Sequence, residues 1–246
     1  MLVKSQVKYI QSLSQKKLRD EEGVFVAEGP KIINELLRSP NIRAQQIFAT
    51  EEWIAQTQGL DPALVVAVSP AELERISFQQ TPNQVIGIFT KPVFPDIIPW
   101  NNIISLMLDT IQDPGNMGTI LRCADWFGIK HIVCSPDSAD VFNPKVVQSS
   151  MGSICRVQVF YEDLSAFLDK HNSVPVYAAT LDGKDLYSFT GIQSGIILIG
   201  NESKGIQEEL LQKSLHRITI PRKGEAESLN AAVATGIILS HIVRSI

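Results

Sequence analysis

The 246-residue sequence predicts an α/β protein: a small α/β domain over residues 1–91, a Pro-rich linker at 92–101, and a larger domain over 102–246 built on a mostly parallel sheet with helices on both faces. Three observations carry that prediction. Beyond Asn102, short apolar runs alternate with helical stretches, the pattern of parallel strands joined by crossover helices. Pro92, Pro95 and Pro99 cluster between Lys91 and Asn102 and interrupt regular structure there. Three loops combining Gly with Asn, Glu, Ser or Arg each follow an apolar run, as ligand-binding loops do at the strand ends of open α/β sheets.

In the first domain, Val3, Val7, Ile10 and Leu13 recur at helical spacing and predict a helix over Val3 to Leu18. Gly23 to Ala27 reads as a strand. Pro30, suited to a first helical turn, opens a helix from Lys31 to Arg38. Strands follow at 47–49, 64–68 and 85–89, with a short helix from Ala71 to Ile76. In the second domain, Ile103 to Leu108 is a buried strand. Met117 to Phe127 is a helix with Ile120, Cys123, Ala124 and Phe127 on one face and Gly128 as its stop. Ile129 to Cys134 is the next strand, and Asn143-Pro144 supplies a cap and first position for a helix to Met151. Further strands are expected at 156–160, 175–179, 196–199 and 217–220. The last helix, Ser228 to about Arg244, is apolar almost all round, so it must be covered on more than one side, by its own domain or by a second subunit.

Composition narrows the function classes. At 44% apolar residues a full core can form. The stretch Met1 to Gln11 carries Lys4 and Lys8 and no apolar segment, so it does not read as a secretory signal, and no run approaches the ~20 apolar residues that span a bilayer. Cys123, Cys134 and Cys155 show no metal spacing and read as reduced thiols of a cytoplasmic protein. The four histidines are scattered, and no metal site is expected. A net charge of −4 argues against a wholly basic nucleic-acid binder. Yet Lys4, Lys8, Lys16, Lys17 and Arg19 face only Asp20 within the first twenty residues. That face is either a solvated helix surface or a local phosphate-binding patch.

The chemistry concentrates in the three loops. Gly115-Asn116-Met117-Gly118 lacks the GxGxxG spacing, and no GxxxxGK[ST] follows a strand, so nucleotide-phosphate fingerprints are absent. Asn116 either caps the helix behind it or contacts a ligand. Arg122 lies off the apolar face, as a surface ion pair or a functional cation. Glu202, in a turn closed by Gly205, is placed to cap loop N–H groups. Ser228 is a good N-cap for the last helix. Asn230, an amide in the first turn of a buried helix, needs partners: protein backbone, or the loop of Asn116 and Arg122.

These segments closely resemble the SpoU (TrmH-type) RNA ribose 2′-O-methyltransferases of the SPOUT superfamily. The likeness runs through Asp113-Pro114-Gly115-Asn116 to Arg122, Gly200-Asn201-Glu202 to Ile206, and Ile220-Pro221 through Ser228-Leu229-Asn230. It extends over Asn143 to Gly152 and, through Lys16, Lys17, Arg19 and Phe25 to Gly29, over the first domain. The resemblance implies a deep trefoil knot in the catalytic domain, a small N-terminal RNA substrate-binding domain, and a homodimer with its active site at or near the interface. It implies S-adenosylmethionine held at Thr180, Gly200, Ile220 and Leu229, with Arg122, Asn116, Glu202, Ser228 and Asn230 serving catalysis. It also implies an RNA-contacting face at Lys16, Lys17 and Arg19. The expected reaction is methyl transfer to a ribose 2′-hydroxyl of structured RNA, ribosomal rather than transfer RNA. The alternatives are a transfer-RNA 2′-O-methyltransferase and a non-catalytic RNA-binding protein on the same scaffold.

Overall fold

In the computed structural model of the protein, residues 2–94 and 98–244 are described. Of the Pro-rich linker expected at 92–101, residues 95–97 lie outside the described residues, as do Met1 and residues 245–246. The elements run α1 (Lys4–Ser12), α2 (Lys16–Glu22), β1 (Val24–Glu28), α3 (Pro30–Arg38), β2 (Ala44–Ala49), α4 (Glu51–Gln56), β3 (Val65–Ala67), α5 (Pro70–Ile76) and β4 (Val85–Thr90). They continue with β5 (Ile104–Leu108), α6 (Pro114–Trp126), β6 (His131–Cys134), α7 (Pro144–Ser150), β7 (Gln158–Tyr161), α8 (Leu164–Lys170), β8 (Val176–Asp185), β9 (Gly195–Ile199), α9 (Glu208–Gln212), β10 (His216–Thr219) and α10 (Ala231–Arg244). The chain forms two compact units. One comprises the described residues of Met1–Phe94 with Asp140–Cys155, and the other those of Pro95–Ala139 with Arg156–Ile246.

The first unit holds a four-stranded sheet in the order β1-β4-β2-β3, in which only β2 and β3 are parallel. Its core includes Ile10, Leu13, Val24, Val26, Phe48 and Ile86. Helix α7 belongs here and packs on β1. As the sequence predicts, Asn143 caps it, accepting from the Lys145 N–H at 2.9 Å, with Pro144 at the first position. Two expectations fail. The single helix over Val3 to Leu18 is broken into α1 and α2, because the Arg19 guanidinium turns back and donates to the carbonyls of Leu13 and Ser14, both at 2.7 Å. Arg19 is therefore not part of an exposed basic face. It is 2% exposed and paired with Asp140, because a guanidinium carried into a core must be both paired and hydrogen-bonded. Lys16 and Lys17 stay exposed at the start of α2.

The second unit holds a six-stranded sheet in the order β10-β8-β9-β5-β6-β7, with every pairing parallel. Alternate residues of a strand face opposite sides, and every residue of β5 is buried, so both faces of the central strand are covered. At the edge, β8 pairs with β10 in two registers. Arg217 lies opposite Ala178 but Ile218 lies opposite Lys184, so residues 179–183 leave the ladder between them. Trp100 anchors the start of this unit among His131, Phe160, Phe167 and His171, at ring-centroid distances of 5.0–5.9 Å. Among the described residues no helix is long and apolar enough to cross a membrane.

Candidate active site

The three loops picked out in the sequence leave the C-terminal ends of β5, β9 and β10, where open parallel sheets present ligand-binding groups. After β5 the chain enters α6. The N-cap is Asp113 rather than Asn116: its Oδ1 accepts the Asn116 N–H at 2.8 Å, and Pro114 takes the first position. That releases the Asn116 amide for other partners. Its Nδ2 donates to the Glu202 carboxylate, and its Oδ1 accepts from Asn230 Nδ2 at 2.8 Å. Asn230 Oδ1 in turn accepts the N–H groups of Ala232 and Val233 at 3.0 and 3.2 Å. Asn230, not Ser228, is thus the cap of α10, since the helix begins at Ala231, beyond the reach of Ser228. The backbone N–H groups of Ala232 and Val233 can only donate, so Asn230 turns its Oδ1 to them and its Nδ2 to Asn116, which leaves Asn116 Nδ2 to face the Glu202 carboxylate. One hydrogen-bonded series therefore ties all three loops together.

The loop after β9 is closed by Asn201 and Gly205, which exchange backbone hydrogen bonds at 3.0 and 2.8 Å. The expected capping by Glu202 is done by Asn201, whose Oδ1 accepts the N–H groups of Ser203 and Lys204 at 2.9 and 3.0 Å. This leaves Glu202 for Asn116. Beneath the loop Asp109 is 0% exposed and takes both Gln207 donors, the backbone N–H at 2.8 Å and Nε2 at 2.7 Å. No site role is expected from the sequence for Asp109, Thr110, Asn201 or Gln207, although Asn201 stands within the Gly200-Asn201-Glu202 segment. The available signal was a carboxylate directly after an apolar strand, which has to be satisfied once buried.

Residues 179–182, the loop after β9 and the loop after β10 enclose a cavity of about 810 Å³. Thr180, Gly200, Ile220 and Leu229, the expected cofactor residues, all line it, and so do Glu202 and Ser228. Two observations fit a small, partly apolar cofactor such as S-adenosylmethionine. Thr180 Oγ1 is buried without a hydrogen-bond partner among the described residues, a donor or acceptor available to a ligand. At Gly200 a methyl group would stand 2.4 Å from the Gly205 carbonyl carbon, so only glycine lets the two backbones meet here. The apolar walls include Ile199, Ile206, Ile218 and Ile238.

Arg122 does not line the cavity. It is exposed on α6, one turn and a half beyond Asn116, and makes no hydrogen bond or ion pair among the described residues. Beside it, burial pushes the Cys123 thiol upward, an effect partly opposed by the Arg122 charge. Among the described residues no group of His, Cys, Asp and Glu is arranged to hold a metal ion.

Comparison with known proteins agrees with this arrangement. Residues 103–240 match the SpoU rRNA Methylase family, and residues 4–87 match the MRM3-like substrate binding domain. The chain is 30% identical over 239 residues to the 23S rRNA (guanosine(2553)-2′-O)-methyltransferase RlmP of Bacillus subtilis, covering 96% of this chain and 95% of that protein. It is 29% identical over 191 residues to the 23S rRNA (uridine(2479)-2′-O)-methyltransferase of Streptomyces viridochromogenes, covering 73% of this chain and 67% of that one. Among solved structures, the AdoMet-bound rRNA methyltransferase from Sinorhizobium meliloti superposes with a TM-score of 0.85 at 32% identity, over 99% of this chain and 95% of that one. A TrmH-family protein from Porphyromonas gingivalis superposes with a TM-score of 0.86 at 39% identity over the whole of both chains. With more than half its length matched by the family and a near full-length relative at 30% identity, the chain belongs to the SpoU rRNA methylase family.

Proposed function

We propose that the protein transfers a methyl group from S-adenosylmethionine to a ribose 2′-hydroxyl of ribosomal RNA. The observation that carries this reading is the series Glu202–Asn116–Asn230, which joins the three family loops beside a cavity whose orphan Thr180 hydroxyl and closed Gly200 turn suit the cofactor. The names of these relatives favour ribosomal over transfer RNA.

When bound, S-adenosylmethionine supplies a methyl already activated on a sulfonium leaving group. Thr180, Gly200, Ile220 and Leu229 hold it, the first by its hydroxyl, the second by permitting close backbone approach, the last two by apolar contact. Arg122 acts on the RNA. A guanidinium has five N–H donors and no acceptor site, so it does not take the 2′-hydroxyl proton. It grips the adjoining phosphate and stabilises negative charge growing on the attacking oxygen. The proton leaves to that phosphate or to water. Asn116, Glu202 and Asn230 tie the loops around this centre, and Ser228 lines the cavity beside them. Alignment by such a frame can lower a barrier by about 7 kcal/mol.

The domain reading assigns residues 1–91 to RNA substrate binding, 92–101 to the linker and 102–246 to the catalytic domain. The match of residues 4–87 to a substrate binding domain and the exposed Lys16 and Lys17 support it. A trefoil knot is proposed from the match to the SpoU family, and the break in the β8–β10 ladder, where residues 179–183 leave the pairing between Arg217 and Ile218, is in keeping with it. A homodimer is supported by α10, which leaves Val233 50% exposed beside an apolar groove shared with Cys123 of α6, and by an Arg122 that lies outside its own cavity. A cytoplasmic location is supported by the likeness to the Bacillus subtilis ribosomal-RNA methyltransferase. Calorimetry with S-adenosylhomocysteine tests the enzyme against a non-catalytic RNA binder. Binding in the micromolar range is expected, and no heat at millimolar ligand would contradict the proposal.

A further inference from the structure

Thr110 adopts φ 59°, a left-handed backbone that β-branched residues strongly resist. Strain of this kind persists only where surrounding bonds hold it. Here its N–H donates to Ser135 Oγ at 2.8 Å, and its hydroxyl reaches Asp109 Oδ1 at 3.0 Å and Asp137 Oδ2 at 3.2 Å. The Ser135 hydroxyl, foremost among several hydrogen bonds, holds the Asp137 carboxyl below its ordinary range, so it remains an ionised acceptor at neutral pH. The result is that the Thr110 carbonyl points at Asn201 Nδ2, 2.8 Å away. Asn201 organises the loop that carries Glu202, and Glu202 accepts from Asn116, which accepts from Asn230. Thr110 itself does not line the cavity.

We infer that Thr110 and Asn201 are positioning residues: the left-handed turn at Thr110 aims one carbonyl at Asn201 and thereby sets the Glu202 loop against α6. The inference rests on the methyl-transfer reading and deepens it. Its content is that backbone geometry at position 110, not the chemistry of the side chain, is what catalysis needs. The hydroxyl bonds are the means by which a threonine reaches a geometry that glycine adopts freely.

The test compares Thr110→Gly, Thr110→Val, Asn201→Ala and the Thr110→Val/Asn201→Ala double variant. Thr110→Gly is expected to keep kcat within about threefold of the parent and to melt no lower. Thr110→Val retains the branch and loses the hydroxyl bonds, so the turn relaxes; a displacement on the order of 1 Å at the loop lowers kcat by about 10–100-fold. The double variant should be no slower than Asn201→Ala alone, because both changes break one contact. Amide exchange at Asn201 and Gly205 should quicken in Thr110→Val and not in Thr110→Gly, a readout that needs no activity. It also serves if Thr110→Val is too unstable for kinetics, since Asn201→Ala then carries the comparison. Equal rates for the Gly and Val variants, or effects that multiply in the double variant, would overturn the inference. A parent protein that transfers no methyl to RNA while the exchange pattern holds would instead refute the methyl-transfer reading alone.

Discussion

Replacing Gly200 with alanine tests how tightly the cofactor loop is closed. The added methyl would sit 2.4 Å from the Gly205 carbonyl carbon and 2.6 Å from its oxygen and from the Ile206 nitrogen. That is about 1 Å inside ordinary contact, and the obstacle is backbone, which cannot swing away as a side chain can. Nor can the loop yield cheaply, since it is held by the Asn201–Gly205 pair, by Asn201 on Thr110 and by Gln207 on buried Asp109. Overpacking costs about 1–3 kcal/mol, and one strained or lost hydrogen bond adds about 1. A total of roughly 2–4 kcal/mol corresponds to a fall of about 5–15 °C in Tm. Thermal melting by circular dichroism measures it, with calorimetric titration of S-adenosylhomocysteine expected to show at least a tenfold weaker Kd. Gly224→Ala is the control, because a methyl there meets nothing within 4 Å and should leave Tm within about 2 °C. A Gly200→Ala protein that melts and binds like the parent would refute the argument.

Thr180→Val should separate stability from binding. Removing an unpartnered buried hydroxyl leaves Tm unchanged or raises it by about 2–4 °C, while S-adenosylhomocysteine affinity falls about 3–10-fold; a drop in Tm with unchanged affinity contradicts the assignment. Arg19→Ala strands Asp140 and two carbonyls and should destabilise the first unit by about 3 kcal/mol in urea unfolding, whereas exposed Lys17→Ala should keep the parent stability and weaken RNA binding at low salt. Burial, aided by neighbouring Lys130 and Lys170, holds His131 and His171 below their ordinary 6.5, with Glu162 opposing at His171. Neutral imidazoles are therefore favoured in the fold: their contribution is complete above pH 6.5 and is lost as pH falls through the depressed values. The urea midpoint should drop between pH 7.5 and 5.5, and less so in the His131→Gln/His171→Gln variant; parallel pH profiles would contradict this.

Much of the second unit was legible because its strands are continuous apolar runs buried on both faces, and α6 carries a local stop signal in Gly128, which takes a positive φ. What could not be read was tertiary. The break between α1 and α2 depends on Arg19 turning back on Leu13 and Ser14. The placement of Asp140–Cys155 with the first unit depends on distant packing of α7 on β1. The cap of α10 moved from Ser228 to Asn230 because both residues satisfy the local rule and only the helix start decides between them. In the site, Asn116, Glu202 and Asn230 were visible as unusual polar residues beside Gly. Asp109, Thr110 and Gln207 do their work from beneath, through bonds across about a hundred residues of chain that no local pattern announces.

The most direct measurement incubates the protein with methyl-tritiated S-adenosylmethionine and unmodified ribosomal RNA transcribed in vitro, then digests the RNA to nucleosides and locates the label. Tritium is expected in a 2′-O-methylnucleoside, reduced by at least a hundredfold with Arg122→Ala although S-adenosylhomocysteine still binds. Tritium on a base, or label in the ribose undiminished by that substitution, would contradict that expectation.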